Sequence, residues 1–341
     1  MISSTSSSPV NPGKRLPLLG LGLGTIALLI CLVYSITLGA KDIPLRSILN
    51  SFLAFDQSFD HLIIQTVRLP RSLMAMAVGS ALAVSGALMQ GLTRNPLAET
   101  GILGIEAGGA LAVVVTLFLF GSSSLTVYAA VAFLGAAIAA VSVYGLGSLG
   151  RGGATPLNLT LAGAAMTAFI SSVTTAILIV SQRTLEEIRF WLAGSLAGRD
   201  FALFLKVLPF MAIGLLLAFL LGKQITTLSL GDDIARGLGQ QTVWIKLLAA
   251  VSIVLLAGGS VAIAGPIGFV GLIIPHLVRF FIKTDYRWIL PYSALLGAML
   301  LLVSDMAARV LLKPQELPIG VMTALVGAPV FVYLAKVKVK R

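Results

Sequence analysis

Apolar runs of about 20 residues recur along this chain, and no other feature limits its fold so strongly. A helix needs roughly that length to cross the hydrocarbon core, where every backbone N–H and C=O must be satisfied within the protein. About ten runs can be placed, near residues 17–38, 71–90, 102–120, 125–147, 158–180, 202–222, 244–264, 268–283, 288–309 and 318–335. The expected fold is all-α and polytopic, with about ten transmembrane helices. Only 11% of the 341 residues are charged and 57% are hydrophobic, whereas a soluble domain carries about 25% charged residues. The 35 glycines fit the same picture, because small side chains let helices approach closely in lipid.

The formal charge of +11 follows the topology rather than a nucleic-acid partner. An even number of spans puts both termini on one side, and the positive-inside rule makes that side the cytoplasm. Lys14, Arg15, Arg94, Arg151, Lys223, Arg236, Lys246, Arg279, Lys283, Arg287 and the tail residues Lys336, Lys338, Lys340 and Arg341 then lie inside. Arg46, Arg68, Arg71, Arg183, Arg189, Arg199 and Arg309 lie outside, more than the rule predicts. The first apolar run is long for a signal peptide and reads as a retained span. Residues 1–16 are thus expected to be a cytoplasmic tail, 17–335 the transmembrane domain and 336–341 a basic cytoplasmic tail. Cys31 lies within an apolar run, without a second cysteine to pair with, and reads as a packed thiol.

Several chemistries are missing. No Gly-x4-Gly-Lys-Ser/Thr loop occurs, so an ATP-binding P-loop is not expected. His61 and His276 are far apart and have no metal-ligand spacing around them, so neither a metal site, a cofactor nor a catalytic centre is expected. The carboxylates nearest the spans are Glu99, Glu106 and Asp305, all near span ends. An ion-driven carrier usually carries carboxylates within its spans. Energy is therefore expected to come from a partner.

Three places break helical regularity. Asn95-Pro96 ends the second span, because proline lacks a donor and disfavours helix at the residue before it. Gly265-Pro266 separates the seventh and eighth spans, and Pro275-His276 is a further irregularity. Gly79, Ala83, Gly86 and Pro96 recur as Gly258, Ala262, Gly265 and Pro275 at one offset, which suggests an internal repeat. Arg68-Leu-Pro-Arg71 reads as the start of the second span.

The loop Leu230-Gly-Asp-Asp-Ile-Ala-Arg-Gly-Leu-Gly239 predicts a short helix outside the membrane, capped by Asp232 or Asp233. Ile234, Ala235 and Leu238 fall on one face of it. A small apolar face in water needs a partner.

Four segments together resemble the iron-siderophore and vitamin B12 permease family of ABC importers. They are Arg68-Leu-Pro-Arg71, Gly86 through Gly104, Gly265-Pro-Ile-Gly-Phe-Val-Gly-Leu-Ile-Ile-Pro-His-Leu-Val-Arg279, and Glu316 through Pro329. The likeness runs from about Arg68 to the C-terminus, and departs from the family pattern at Thr100 and Glu106. It implies a type II ABC importer permease in the bacterial inner membrane, with no ATPase site of its own. The implied partners are a second permease subunit, identical or paralogous, two cytoplasmic ATPase subunits and a periplasmic or lipid-anchored substrate-binding protein. The cargo implied is a ferric siderophore, with haem or cobalamin as alternatives and an ion-coupled secondary carrier as the competing class. Under the resemblance Arg68, Arg71 and Arg309 dock the binding protein. Leu230, Gly231, Asp232, Asp233, Ala235, Leu238 and Gly239 couple to the ATPase. From their irregular backbone, Gln90, Asn95, Pro96, Gly265, Pro275 and His276 are read as lining or gating the translocation path, with an interhelical turn at Asn95-Pro96 and a hydrogen-bonding role for His276 as the structural alternatives.

Overall fold

In a computed structural model, residues 15–39, 42–122, 124–149, 155–313 and 315–339 are described. Lys14, Arg151, Lys340, Arg341 and most of the expected N-terminal tail lie outside them. The described residues are helical and contain no strand. Seven helices are long and apolar enough to cross a membrane, and three shorter apolar ones lie at 105–120, 270–282 and 319–333. These match the ten runs read from the sequence.

In chain order the helices are α1 (Arg15–Thr37), α2 (Leu45–Leu53), α3 (Phe59–Ile63), α4 (Leu69–Thr93), α5 (Ile105–Phe120), α6 (Leu125–Ser148), α7 (Pro156–Val180) and α8 (Gln182–Leu192). They continue as α9 (Phe201–Leu220), α10 (Gly222–Leu228), α11 (Asp232–Gly237), α12 (Thr242–Ile253), α13 (Gly259–Ala264), α14 (Val270–Ile282), α15 (Tyr286–Val310) and α16 (Ile319–Val339).

Helix α4 is the axis of the bundle, touching α1, α9, α12, α14 and α15. It is buried on nearly every side, while α6, α7 and α9 expose leucine, isoleucine and phenylalanine outward, as lipid contact requires. Glycines set the closest approaches. A Cβ on Gly79 would collide with the Gly297 carbonyl, and one on Gly86 with Gly271. In lipid such contacts hold helices by packing, since tails are as apolar as the side chains they replace.

Two expectations need correction. Arg68-Leu-Pro-Arg71 does not open a span. Helix α3 runs into α4 without a break through a π turn at Ile64–Arg68, in which the Leu69 N–H donates to the Ile64 carbonyl. Pro70 has no N–H and would clash with a regular i−4 carbonyl; the wider turn before it removes that conflict. The internal repeat is matched only in part. Gly86 lies within α4 whereas Gly265 ends α13 at φ +75°, and Pro96 lies in a turn whereas Pro275 lies inside α14. Two of the four matched pairs occupy unlike positions, whereas Gly79 and Gly258, like Ala83 and Ala262, are both helical and buried.

Candidate functional site

Three clusters hold the singled-out residues. At the outer end, Arg68, Arg71 and Arg309 are all buried. Arg68 donates to the Ile36 and Thr37 carbonyls at 2.7 and 2.8 Å, closing the last turn of α1. These are carbonyls that the helix itself leaves open, and a cation is favoured there by the helix dipole. Arg309 reaches the same helix end, donating to the carbonyls of Ser35 and Leu38 at 3.0 Å and to Ser35 Oγ at 2.7 Å. Arg71 donates from Nε to Asp305 Oδ1 at 2.8 Å and pairs through Nη1 with Glu316 Oε2 at 2.6 Å. Asp305 is fully buried and also meets Arg309 at 3.1 Å. One carboxylate thus sits between two guanidinium groups, and three arginines staple α1, α4, α15 and the start of the Glu316 loop. The sequence reading placed these arginines on the outer surface; their side chains instead turn inward.

Arg199 occupies the same end, between α8 and α9. It donates to the Ser195 carbonyl at 3.0 Å and lines a polar cavity with Trp191, Glu187 and Glu316. Burial pulls its guanidinium down to about 10, so it stays charged at neutral pH.

The second cluster is the irregular backbone. Arg94 ends α4 in the left-handed region at φ +51°, and Asn95 Oδ1 accepts from the Leu97 N–H at 3.0 Å, a local turn that carries Pro96. The following segment leads to Glu99, whose carboxylate accepts from the Phe269 N–H at the start of α14. An anion is favoured at that helix N-terminus. Glu106 accepts from Thr100 Oγ1 at 3.3 Å, which gives the two residues that depart from the family pattern to each other. Opposite, residues 265–269 run non-helically between α13 and α14. Such backbone survives at membrane depth only under a cover of protein. The cover is α8 and its following turn: Gly265 lies against the Trp191 carbonyl where a Cβ would collide, Ser195 N–H donates to the Ala264 carbonyl at 2.8 Å, and Gly320 N–H to Gly194 at 3.1 Å. Glu99 was passed over as a site residue by sequence reasoning; its place three residues after the proline was the one available signal.

At the inner end, Gln90 is buried and donates to the Gly271 and Leu272 carbonyls at 3.1 and 3.3 Å. It accepts from Arg279, which also donates to the Tyr286 hydroxyl at 3.0 Å. The Tyr286 N–H in turn donates to Thr226 Oγ1 at 2.9 Å. This chain of bonds runs from α4 through α14 and α15 to α10. Pro275 is buried inside α14, and His276 meets the edge of Phe280 at 5.5 Å.

Helix α11 follows α10. Its N-cap is Gly231 at φ +130°, with no side-chain cap; Asp232 pairs instead with Lys246 of α12 at 2.5 Å, and Asp233 is exposed. The capping role expected of either aspartate is therefore corrected. Leu230, Ile234 and Leu238, before, within and at the end of α11, are all exposed, at 61%, 51% and 67%, and form an exposed apolar stripe. Ala235 is fully buried and turned away from that stripe. Gly239 turns the chain at φ +80° toward α12.

Residues 27–336 match the FecCD transport family. The chain is 48% identical to the Bacillus subtilis protein named "Probable siderophore transport system permease protein YfiZ", over 90% of this chain and 95% of that one. It is 46% identical to the iron(3+)-hydroxamate import system permease FhuB of the same organism, over 90% and 81%. It is 40% identical to the ferric enterobactin permease FepD of Escherichia coli, over 92% and 94%. Its fold is similar to that of a metal-chelate type ABC transporter solved in an inward-facing conformation, with TM-score 0.80 and 31% identity over 94% and 99% of the two chains. This chain belongs to the FecCD transport family, the membrane permease subunits of ABC importers, and is a multi-pass protein of the bacterial inner membrane.

Proposed function

We propose that this chain is the translocating subunit of a binding-protein-dependent importer that carries a ferric siderophore, driven by two cytoplasmic ATPase subunits. The observation that carries the reading is the exposed apolar stripe of Leu230, Ile234 and Leu238 along and beside a short helix tied by Asp232–Lys246 to a membrane span. An apolar face in water at such a place fits the groove of a partner, and its tie to α12 gives partner motion a route into the bundle. The relatives' names support the iron-chelate cargo.

The path lies between two copies, or between this chain and a paralogue. Helix α7 supports this, because it spans the membrane yet exposes Ser171, Ser172 and Thr175. Polar groups within a span usually face a water-filled cavity or another subunit. The irregular segments around Asn95-Pro96 and Gly265 through His276, with Gln90 behind them, act as the gate. The binding protein docks at the outer end. There Arg71 reaches the half-exposed Glu316, and a carboxylate from the partner would take that place.

The test is uptake into inside-out and right-side-out vesicles of the assembled complex. Iron-labelled hydroxamate, catecholate and citrate chelates, haem and cobalamin are compared with ATP, without it and with a proton gradient alone. ATP-dependent uptake of one ferric chelate is expected. ATP-dependent uptake of haem or cobalamin alone would change the cargo, and gradient-driven uptake without ATP would replace the mechanism with a secondary carrier.

A further inference from the structure

A cavity of about 330 Å³ opens on the side of the bundle between α4, α6 and α12. Met89, Leu103 and Ala140 form its buried floor. Its rim is Val141, Leu247 and Val251, which are exposed to 71%, 43% and 41%, so the cavity opens on the outside of the bundle and not into the core. Along α12 it extends from Lys246 to Leu255. At 1.5 Å per residue that is about 14 Å, close to half of the roughly 30 Å hydrocarbon core.

The polar groups are not scattered. Lys246 and Tyr144 line the cavity at the ends of α12 and α6 that we assign to the cytoplasmic side, and almost everything deeper is apolar. An ammonium has three donors. One goes from Lys246 to Asp232, and the group is still only part-buried at the mouth. Tyrosine at a membrane interface sits at headgroup level. A slot one leaflet deep, with a cation and a phenol at its wet end, is complementary to one molecule: a glycerophospholipid of the inner leaflet. Water has no partners in so apolar a space, and an irregular protein segment would leave its backbone unsatisfied there.

We propose that this cavity holds one acyl chain of an inner-leaflet phospholipid, with its phosphate at Lys246 beside Tyr144. The phosphate shares Lys246 with Asp232, so the lipid sits in contact with the bridge that anchors α11. The proposal rests on the orientation with α11 in the cytoplasm, but its test reads lipid contact and does not depend on transport.

The full-length protein is reconstituted in liposomes containing a phospholipid with a photoactivatable diazirine in one acyl chain, then irradiated, and the labelled peptides are mapped. Labelling several-fold above other bilayer-facing peptides is expected at residues 137–144 and 246–255. Ala250→Phe, which fills the cavity, and Val251→Trp, which blocks its mouth, should each bring those peptides to the background of the other lipid-facing helices. Val251→Trp changes only an exposed position, so it guards against a folding defect. Lys246→Gln keeps the slot but removes the cation, and should cut lipid retained through detergent purification several-fold. Even labelling across α6, α9 and α12 would overturn the site. Unchanged retention in Lys246→Gln would overturn the phosphate assignment, and labelling of residues 137–144 and 246–255 no higher than that of other bilayer-facing peptides in the native chain would overturn the occupant.

Discussion

Arg71 of α4 and Asp305 of α15 meet at 2.8 Å, although 234 residues separate them in the chain. Asp305 is fully buried, and its second oxygen faces Arg309. The pair therefore closes the outer end of the two helices that pack on each other most extensively. A buried carboxylate is tolerated only when it is paired and hydrogen-bonded. Two arginines, one from each helix, pair with it here: Oδ1 accepts from Arg71, while Oδ2 meets Arg309 as an ion pair without a hydrogen bond.

Asp305 should accordingly matter more to the fold than either arginine alone. Asp305→Ala leaves two buried guanidinium groups facing each other. Arg71→Ala leaves Asp305 still paired with Arg309. Breaking a buried pair costs about 3–5 kcal/mol, and Asp305→Ala is expected at or above the top of that range, with Arg71→Ala below it. Thermal unfolding of the purified variants in detergent checks the order. The double variant Arg71→Ala with Asp305→Ala should be less destabilised than the two single losses summed, because the residues share one network.

Helix α11 makes a separable prediction. Leu238 and Ile234 are exposed, so Leu238→Glu should leave the thermal midpoint within about 1 °C, since surface changes lie within about 0.5 kcal/mol, while reducing ATPase co-purification at least about tenfold, a loss of roughly 1.4 kcal/mol. Ala235→Glu should instead lower the midpoint itself, because Ala235 is fully buried. Pull-down against the ATPase, run beside a melting curve, separates the two. Equal association for Leu238→Glu and the native chain would remove the stripe from the interface.

Much of this was legible in the sequence, for a plain reason. Span number and order depend on hydrophobicity and length, which are local properties, and the ten runs coincide with the ten apolar helices. The direction of a side chain depends on its neighbours in space, and there the reading went astray. Arginines at a helix end look like surface anchors. Arg68 and Arg309 turn inward because the open carbonyls of α1 lie within reach. Ala235 and Leu238 were grouped on one face by spacing, yet α11 is too short for spacing to show which side meets α12. The π turn before Pro70 left no mark, since no residue pattern encodes it. Glu99 was visible only as a carboxylate near a span end, because its partner, the Phe269 N–H, lies 170 residues away.

The glycine contacts make a prediction of packing alone. Gly86 lies against Gly271, with no room for a Cβ between α4 and α14. Gly86→Ala should therefore destabilise despite adding helix propensity, which favours alanine by about 1 kcal/mol. Overpacking typically costs about 1–3 kcal/mol, so a net loss of about 0–2 kcal/mol is expected. Gly145→Ala is the control, since a Cβ there meets nothing within 4 Å, and it should be neutral or stabilising. A lower unfolding midpoint for Gly145→Ala than for Gly86→Ala would contradict the packing.

The last prediction concerns how the outer arginines serve docking. Arg71 has two kinds of partner: Asp305, fully buried, and Glu316, whose side chain is 36% exposed. A carboxylate on a binding protein can compete only for the second. Arg71→Glu should then do two things at once: place like charges beside Asp305 and Glu316, lowering stability, and abolish docking. That variant alone cannot separate them. Glu316→Ala can, because it removes the exposed competitor and leaves Arg71 paired with Asp305. If docking uses Arg71, Glu316→Ala should strengthen association of the binding protein, by a modest factor of up to about fivefold, since exposed pairs contribute about 0–1 kcal/mol. The gain should shrink at high salt, as steering by rim charges does. If the three arginines serve only the fold, Glu316→Ala should leave association unchanged at every ionic strength and merely lower the unfolding midpoint slightly. Association kinetics at low and high salt, measured on the intact complex, decide between these outcomes.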